Sequence, residues 1–517
     1  MENNNNFYQQ PYQQQYGNPP VYNYAPPPPQ PQPYVRQFTT GDSVLAWICF
    51  LFGYLFCRAF PVYLNPFGAL LIIVSAYVIS FVYLKAKHYK IGFIPFFVAT
   101  SAIILSGSLF LCNNEFLQKL CFSYAVASLG FFIYSVTDNR IEKGLSSLIA
   151  IDYFKALFIL PFCALGSIFR AAFTSRKTAK PVLKLMLGIA LAIVPTAIVT
   201  ALLSYDEGFR QIISKVFDFR LSAVFSHLAS AGFGIPIAMY FFGAFVSGRE
   251  NACRNVIKAE SVHTAANRIK IAPSITVIAA LLPVLLIYVV FFISQWKYYV
   301  SAFTGVLPDG FTYADYAREG FFQLVAVSVI NLILIIICVM FAKRSRAVLI
   351  TMTSLFTVST LVLIATALSK MMLYIDTYGL TPKRVYASWF MVVIALTFII
   401  ITLSQIIPRM SALAFSGIVW VIMLAAISLS NVDGMIANYN VDCYINEKLD
   451  DVDVYMLMDL GDPAVPALTR LRGNLDKKSD EYEEVKEYLK DCKKEYKDIG
   501  VFEITLPTLQ AIQALKP

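Results

Sequence analysis

Apolar residues run along the chain in blocks of about twenty, parted by short polar breaks. A helix needs about 20 predominantly apolar residues to cross the hydrocarbon core of a bilayer. Stretches of that kind fall at 44–61, 66–84, 91–112, 120–137, 185–204, 230–248, 273–295, 320–342, 347–369, 385–407 and 411–429. The pattern predicts about eleven transmembrane helices. Pro95, Pro195, Pro236 and Pro283 lie well inside four of them and predict kinks, because proline removes a backbone hydrogen bond.

Two further apolar stretches are expected to lie in the membrane interface rather than to cross. Residues 145–173 contain Asp152, Lys155 and Pro161 and have basic residues on both flanks. A crossing would put one basic cluster on the wrong side, so a pair of interfacial helices broken at Pro161 is expected. In 207–229 the residues Phe209, Ile212, Val216, Phe217, Val224 and Leu228 keep to one helical face, which predicts an amphipathic surface helix at the opposite side.

The pattern from 347 to 378 is longer than a span needs. It would extend about 48 Å, against about 30 Å of hydrocarbon core. Tyr378–Pro382 (YGLTP) supplies a glycine for a helix C′ position, a threonine cap and a proline for the next first turn. A tight helix–turn–helix at the top of a projecting pair is expected there. After 430 the apolar blocks cease. Asp462-Pro463 and the charged run 478–498 predict a small helical domain.

Composition and charge orient this frame. Of the 517 residues, 57% are hydrophobic and only 15% charged, which excludes an ordinary soluble enzyme or a disordered chain. The net charge of +9 divides into +16 over 1–429 and −7 over 430–517. With the N-terminus inside, the inner loops carry 20 Lys/Arg and the outer loops 9. That asymmetry places the N-terminus in the cytoplasm and, after an odd number of spans, the C-terminal domain outside. The basic body then reflects topology, with the lipid bilayer as partner and no nucleic acid.

Residues 1–42 are different in kind, with nine Pro, eight Gln, six Asn and six Tyr, and cannot bury a core. A cytoplasmic, disordered Gln/Pro/Tyr-rich tail is expected, chiefly a solvated spacer and otherwise a docking segment for a proline-recognising protein partner. The organisation is therefore a tail over 1–42, an all-α membrane domain over 43–429 and an acidic extracytoplasmic domain over 430–517.

Residues 299–323 (YVSAFTGVLPDGFTYADYAREGFFQ), 369–390 (SKMMLYIDTYGLTPKRVYASWF) and 438–467 (NYNVDCYINEKLDDVDVYMLMDLGDPAVPA) resemble a family of bacterial multi-pass membrane proteins, domain-of-unknown-function family four-one-seven-three. The resemblance covers roughly 40–470. It implies a bacterial cytoplasmic-membrane protein of the cell envelope, with no assigned activity and no catalytic or binding residue to carry over.

Searching for chemistry narrows little. Within the predicted spans the only ionisable side chain is Arg58, near enough to the surface to snorkel. The absence of an acid there weakens a proton-coupled pump. The sequence contains no HExxH, GxSxG, Walker A or GxGxxG, so no catalytic residue, cofactor or metal site is predicted. Nine cysteines show no metal spacing. Cys443 and Cys492 either pair in an oxidising space or never meet. The richest polar constellation is on the outer side: Asp309, Asp315, Arg318 and Glu319, with Lys370, Asp376 and Arg384, would line an outward pocket, although turn, cap and anchor roles also account for them. A sensor or scaffold of the envelope fits best. A carrier of a lipid or neutral small solute is the alternative, and a membrane enzyme fits least.

Overall fold

The computed structural model describes residues 36–59, 66–173, 221–254, 256–294, 321–343, 346–500 and 503–516, with three isolated positions (199, 203 and 206). Every element among them is helical, and the helices all belong to the unit Thr39–Pro517. In chain order they are α1 (Thr40–Ala59), α2 (Pro66–Ala86), α3 (Phe93–Ser106), α4 (Ser108–Leu111), α5 (Glu115–Val136), α6 (Ile149–Phe158), α7 (Ser167–Ala172) and α8 (Leu221–Arg249). There follow α9 (Ala259–Ile269), α10 (Ser274–Ser294), α11 (Phe321–Phe341), α12 (Arg346–Tyr378), α13 (Pro382–Ile406) and α14 (Ala412–Leu429). The C-terminal domain adds α15 (Val432–Ile445), α16 (Val454–Asp459), α17 (Val465–Arg472), α18 (Asp480–Glu495) and α19 (Leu506–Ala514).

Ten helices among the described residues are long and apolar enough to cross a membrane: α1, α2, α3 with α4, α5, α8, and α10 to α14. The remaining predicted span, 185–204, lies almost wholly outside the described residues. Contacts between helix ends define two faces. On one, Lys87 after α2 donates to Thr39 before α1 (3.0 Å), Asn139 after α5 donates to the Gly248 carbonyl of α8 (2.8 Å), and Ser147 meets Ser411 at the start of α14 (3.3 Å). On the other, Arg58 of α1 donates to Ser226 of α8 (2.8 Å), and the C-terminal domain docks. We call these the tail face and the cap face.

The spans pack closely where side chains are absent. At the crossing of α1 and α8, a Cβ on Gly53 would stand 2.1 Å from the Gly234 carbonyl oxygen. Small residues let membrane helices approach in this way, because lipid gives them no hydrophobic reason to associate. In α10–α13, Tyr288 donates to the Asn331 side-chain oxygen (2.6 Å), and the Asn331 amide donates to Thr360 (2.9 Å). That buried chain links α10, α11 and α12 where side-chain packing alone would leave rotation free.

The expected turn is present. The 33-residue α12 ends at Tyr378, Gly379 has φ +73°, Thr381 is extended and Pro382 opens α13. The second interfacial segment is corrected. Its part from Leu221 onward is not a separate surface helix but the start of α8, running unbroken into the span. Residues 207–220 lie outside the described ones. The exposed His227 there shares one hydrogen bond with the Tyr54 hydroxyl of α1 (2.8 Å).

Candidate functional site

The stretch expected to lie as two interfacial helices is folded into the protein. It breaks at Pro161, as its sequence requires, with α6 on one side, a 3₁₀ turn at Pro161–Ala164, and α7 on the other. Both ends sit at the tail face: Ser147 precedes α6, and the Ala172 carbonyl accepts from Ser43 at the start of α1 (3.1 Å). The tip reaches inward. Tyr240 of α8 donates to the Leu157 carbonyl (2.9 Å), and a Cβ on Gly243 would stand 2.3 Å from the Pro161 carbonyl oxygen. Gly243 lies six residues inside the end of α8, or roughly 9 Å at 1.5 Å per residue. The element is a helical hairpin that enters and leaves at one face.

Its polar residues point into protein. Asp152 and Lys155 are both 0% exposed. One Asp152 oxygen accepts from the Tyr134 hydroxyl (3.0 Å) and from the Ile141 backbone N–H (3.0 Å), and the Arg140 guanidinium lies 3.7 Å from the other. Lys155 Nζ lies 5.7 Å from the centre of the Tyr134 ring and has no hydrogen-bond acceptor within the protein. Burial raises the Asp152 pKa despite the bonds from Ile141, Tyr134 and Arg140 that oppose it. Burial lowers the Lys155 pKa, against the attraction of Asp152. Two buried ionisable groups, three residues apart on one broken helix, are thus each displaced toward the neutral form. The Cys253 thiol, 0% exposed, faces the same centre and is pushed up to about 12 by burial.

A second charged cluster closes the tail face. Asp42, in the first turn of α1 and 0% exposed, accepts from Arg249 through both oxygens (2.9 Å each). It also accepts from Lys87 (3.0 Å), Tyr83 (2.8 Å) and the Thr39 backbone N–H (2.8 Å). This network is fully partnered and ties α1, α2 and α8, a structural arrangement.

At the cap face Asp462 accepts from Tyr496 (2.6 Å), Thr508 and Asn113 (3.1 Å), and Asn440 exchanges two bonds with the Leu380 backbone (2.7 and 2.8 Å). The C-terminal domain is thereby fixed to the α4–α5 hairpin and to the α12–α13 turn. Its core is formed by Leu457, Leu468, Leu471, Val485 and Leu489. Asp433, where that domain begins, is 6% exposed, and its Oδ1 has no partner. Burial raises its pKa.

Of the residues expected to line an outward pocket, Asp309, Asp315, Arg318 and Glu319 lie outside the described ones. Lys370 and Asp376 are six residues apart on α12, with Asp376 exposed. Arg384 stacks on the Tyr374 ring (4.0 Å) and donates to the Tyr378 and Gly379 carbonyls, so it caps the end of α12. Cys443 and Cys492 are free thiols, Cys492 inside the domain core. Among the described residues no group of three His, Cys, Asp or Glu stands close enough to hold a metal ion.

Helices and faces of this kind define an integral, multi-pass, all-helical membrane protein. Over residues 99–471 the chain matches the family model described as Domain of unknown function (DUF4153), and it belongs to that family. The family is, as expected, one of unknown function, although its number differs from the one the resemblance carried. No curated protein and no solved structure matches the chain.

Proposed function

We propose that the chain is a membrane carrier for a lipid or small solute, with its site at the hairpin of α6 and α7 and a proton exchanged at Asp152. The observation that carries this reading is the fully buried Asp152–Lys155 pair on a helix broken inside the bundle. Broken helices at membrane depth are tolerated only where protein or a water-filled path surrounds them, and transporters place binding sites on them. Ionisable groups at that depth mark ion and substrate paths. Release of the Asp152 proton would strengthen its hold on Arg140 and Ile141, and so couple protonation to the loop that begins the hairpin. We place the tail face in the cytoplasm and the cap outside, as the loop charges favour.

The test is flux in proteoliposomes, with pyranine inside to report protons and a headgroup-labelled fluorescent phospholipid to report lipid movement. Wild-type protein should accelerate one of the two over empty vesicles, and Asp152→Asn should lower that rate at least tenfold. Wild-type vesicles no faster than empty ones in both assays would refute the reading.

An envelope sensor or scaffold is the second reading, favoured by the bonds that fix the C-terminal domain to Leu380 and Asn113. It predicts that deleting residues 1–42 abolishes capture of a cytoplasmic protein partner from solubilised membranes. Unchanged capture would count against it.

A further inference from the structure

Among the described residues nine buried side-chain polar atoms have no hydrogen-bond partner within the protein, and seven of them belong to the second half of α5, the loop to α6, α6 itself or the end of α8. Buried atoms of this kind are ordinarily satisfied by an ordered water or a bound ion. Two of the seven are on cations. Lys155, 0% exposed, places its Nζ 5.7 Å from the centre of the Tyr134 ring. Arg140 gives one Nη to the Gly144 carbonyl (2.5 Å), but its Nε stands 3.7 Å from Asp152, too far for a hydrogen bond. The Tyr134 hydroxyl donates to Asp152 (3.0 Å), so both cations flank one Tyr134–Asp152 pair. The Phe131 ring, stacked on Tyr153 at 4.0 Å, lies 6.0 Å from the Arg140 guanidinium and gives the pair an apolar wall.

We propose that Lys155 and Arg140 hold one monovalent anion of chloride size beside Asp152, and that a proton on Asp152 accompanies it. Arg140 keeps its charge at every working pH. Whenever Asp152 is protonated, or Lys155 is charged, the three side chains therefore carry net positive charge inside the protein. A buried charge without compensation is costly. An anion supplies the acceptor that Lys155 Nζ and Arg140 Nε each lack and also balances the charge, whereas water supplies only the acceptor. Full burial of Asp152 and Lys155 favours a small spherical ion over a lipid headgroup. An ionised Asp152 repels the anion and competes for both cations; a protonated one does neither. Proton and anion thus strengthen each other's binding, by the same factor in both directions. The inference names the small solute of the carrier and, as a transport step, rests on that reading; as a binding site it rests on the side chains alone.

The test is thermal unfolding of full-length protein in detergent micelles, in sodium gluconate replaced stepwise by sodium chloride at constant ionic strength. A ligand that binds only the folded state raises the midpoint with its concentration. Chloride should raise the wild-type midpoint saturably, and bromide should do the same. Lys155→Met and Arg140→Gln should each need about tenfold more chloride for the same rise, the loss of one charge-assisted hydrogen bond. The charged and titratable groups that face Asp152 are Tyr134 of α5, Arg140 of the loop, Lys155 of α6 and Cys253 beyond α8. With these around it, the wild-type rise should be larger at pH 6 than at pH 8, and Asp152→Asn should keep the rise at pH 8. A wild-type midpoint indifferent to chloride would mean that water alone satisfies these groups, and would overturn the proposal without touching proton or lipid flux. An equal rise in Lys155→Met would overturn it as well. A chloride-dependent rise in protein that carries no flux would uphold the site and sink the carrier.

Discussion

Asp152 and Lys155 make different demands on the fold, although they lie on one face of one short helix. Asp152 has three hydrogen-bonding or ionic neighbours and Lys155 Nζ has none. Breaking a buried ion pair by deleting one partner is costly, whereas losing an unsatisfied group can relieve strain. Asp152→Ala should therefore destabilise the protein by about 3–5 kcal/mol. Lys155→Met, of similar length, should change stability by no more than about 1 kcal/mol or should increase it. Thermal unfolding of the two variants in one detergent decides this, and equal losses would contradict it. Asp433 supplies a pH dependence. Its pKa is raised by burial above the ordinary 3.8, so the native state holds a proton that the unfolded chain releases. The stability it contributes is full below 3.8 and is lost as pH rises through the native value. Proteolysis of the C-terminal domain should quicken across that window, and Asp433→Asn should flatten the profile. The acid–lysine pair was visible in the sequence, but hydropathy cannot tell a lipid–water interface from a protein interior. Asp42 carries no signal in the hydropathy pattern for a related reason, since it falls just before an apolar block rather than within it.

At the scale of elements, helix existence was legible because twenty apolar residues in a row admit few other structures. The α12–α13 turn was legible because Gly379, Thr381 and Pro382 each restrict the backbone locally. What could not be read was which helices touch. The crossing of α1 and α8 depends on two glycines 181 residues apart, neither of which marks a turn. Gly53→Ala should cost about 1–3 kcal/mol, since the helices must separate to admit a methyl group. The tip of the hairpin poses the same demand at Gly243. Asn331→Leu should cost roughly 0.6–2 kcal/mol by breaking the Tyr288–Asn331–Thr360 chain. Both are measured by thermal unfolding, and a neutral Gly53→Ala would mean that the crossing is looser than the backbone contacts indicate.

Among the described residues, ten candidate spans, the helices after 430 and a hairpin share one pair of faces. The apolar blocks made ten of the eleven expected spans readable, the eleventh lying almost wholly outside the described residues, and the charged run after 430 made its helices readable. The docking was not readable, because it rests on single polar residues, Asn113, Asn440 and Asp462, in segments with no periodic signal. Asp462→Ala leaves Tyr496, Thr508 and Asn113 without their acceptor and should raise hydrogen exchange throughout 454–514. The central claim is that the chain from α6 to α7 turns back inside the bundle. Single cysteines in place of Lys143, Arg170 and Lys119, in a protein otherwise free of cysteine, test it directly with a membrane-impermeant maleimide on sealed vesicles of one orientation. Positions 143 and 170 should react from the same face, and position 119 from the other. Labelling of 143 and 170 from opposite faces would make the segment a span and contradict the account.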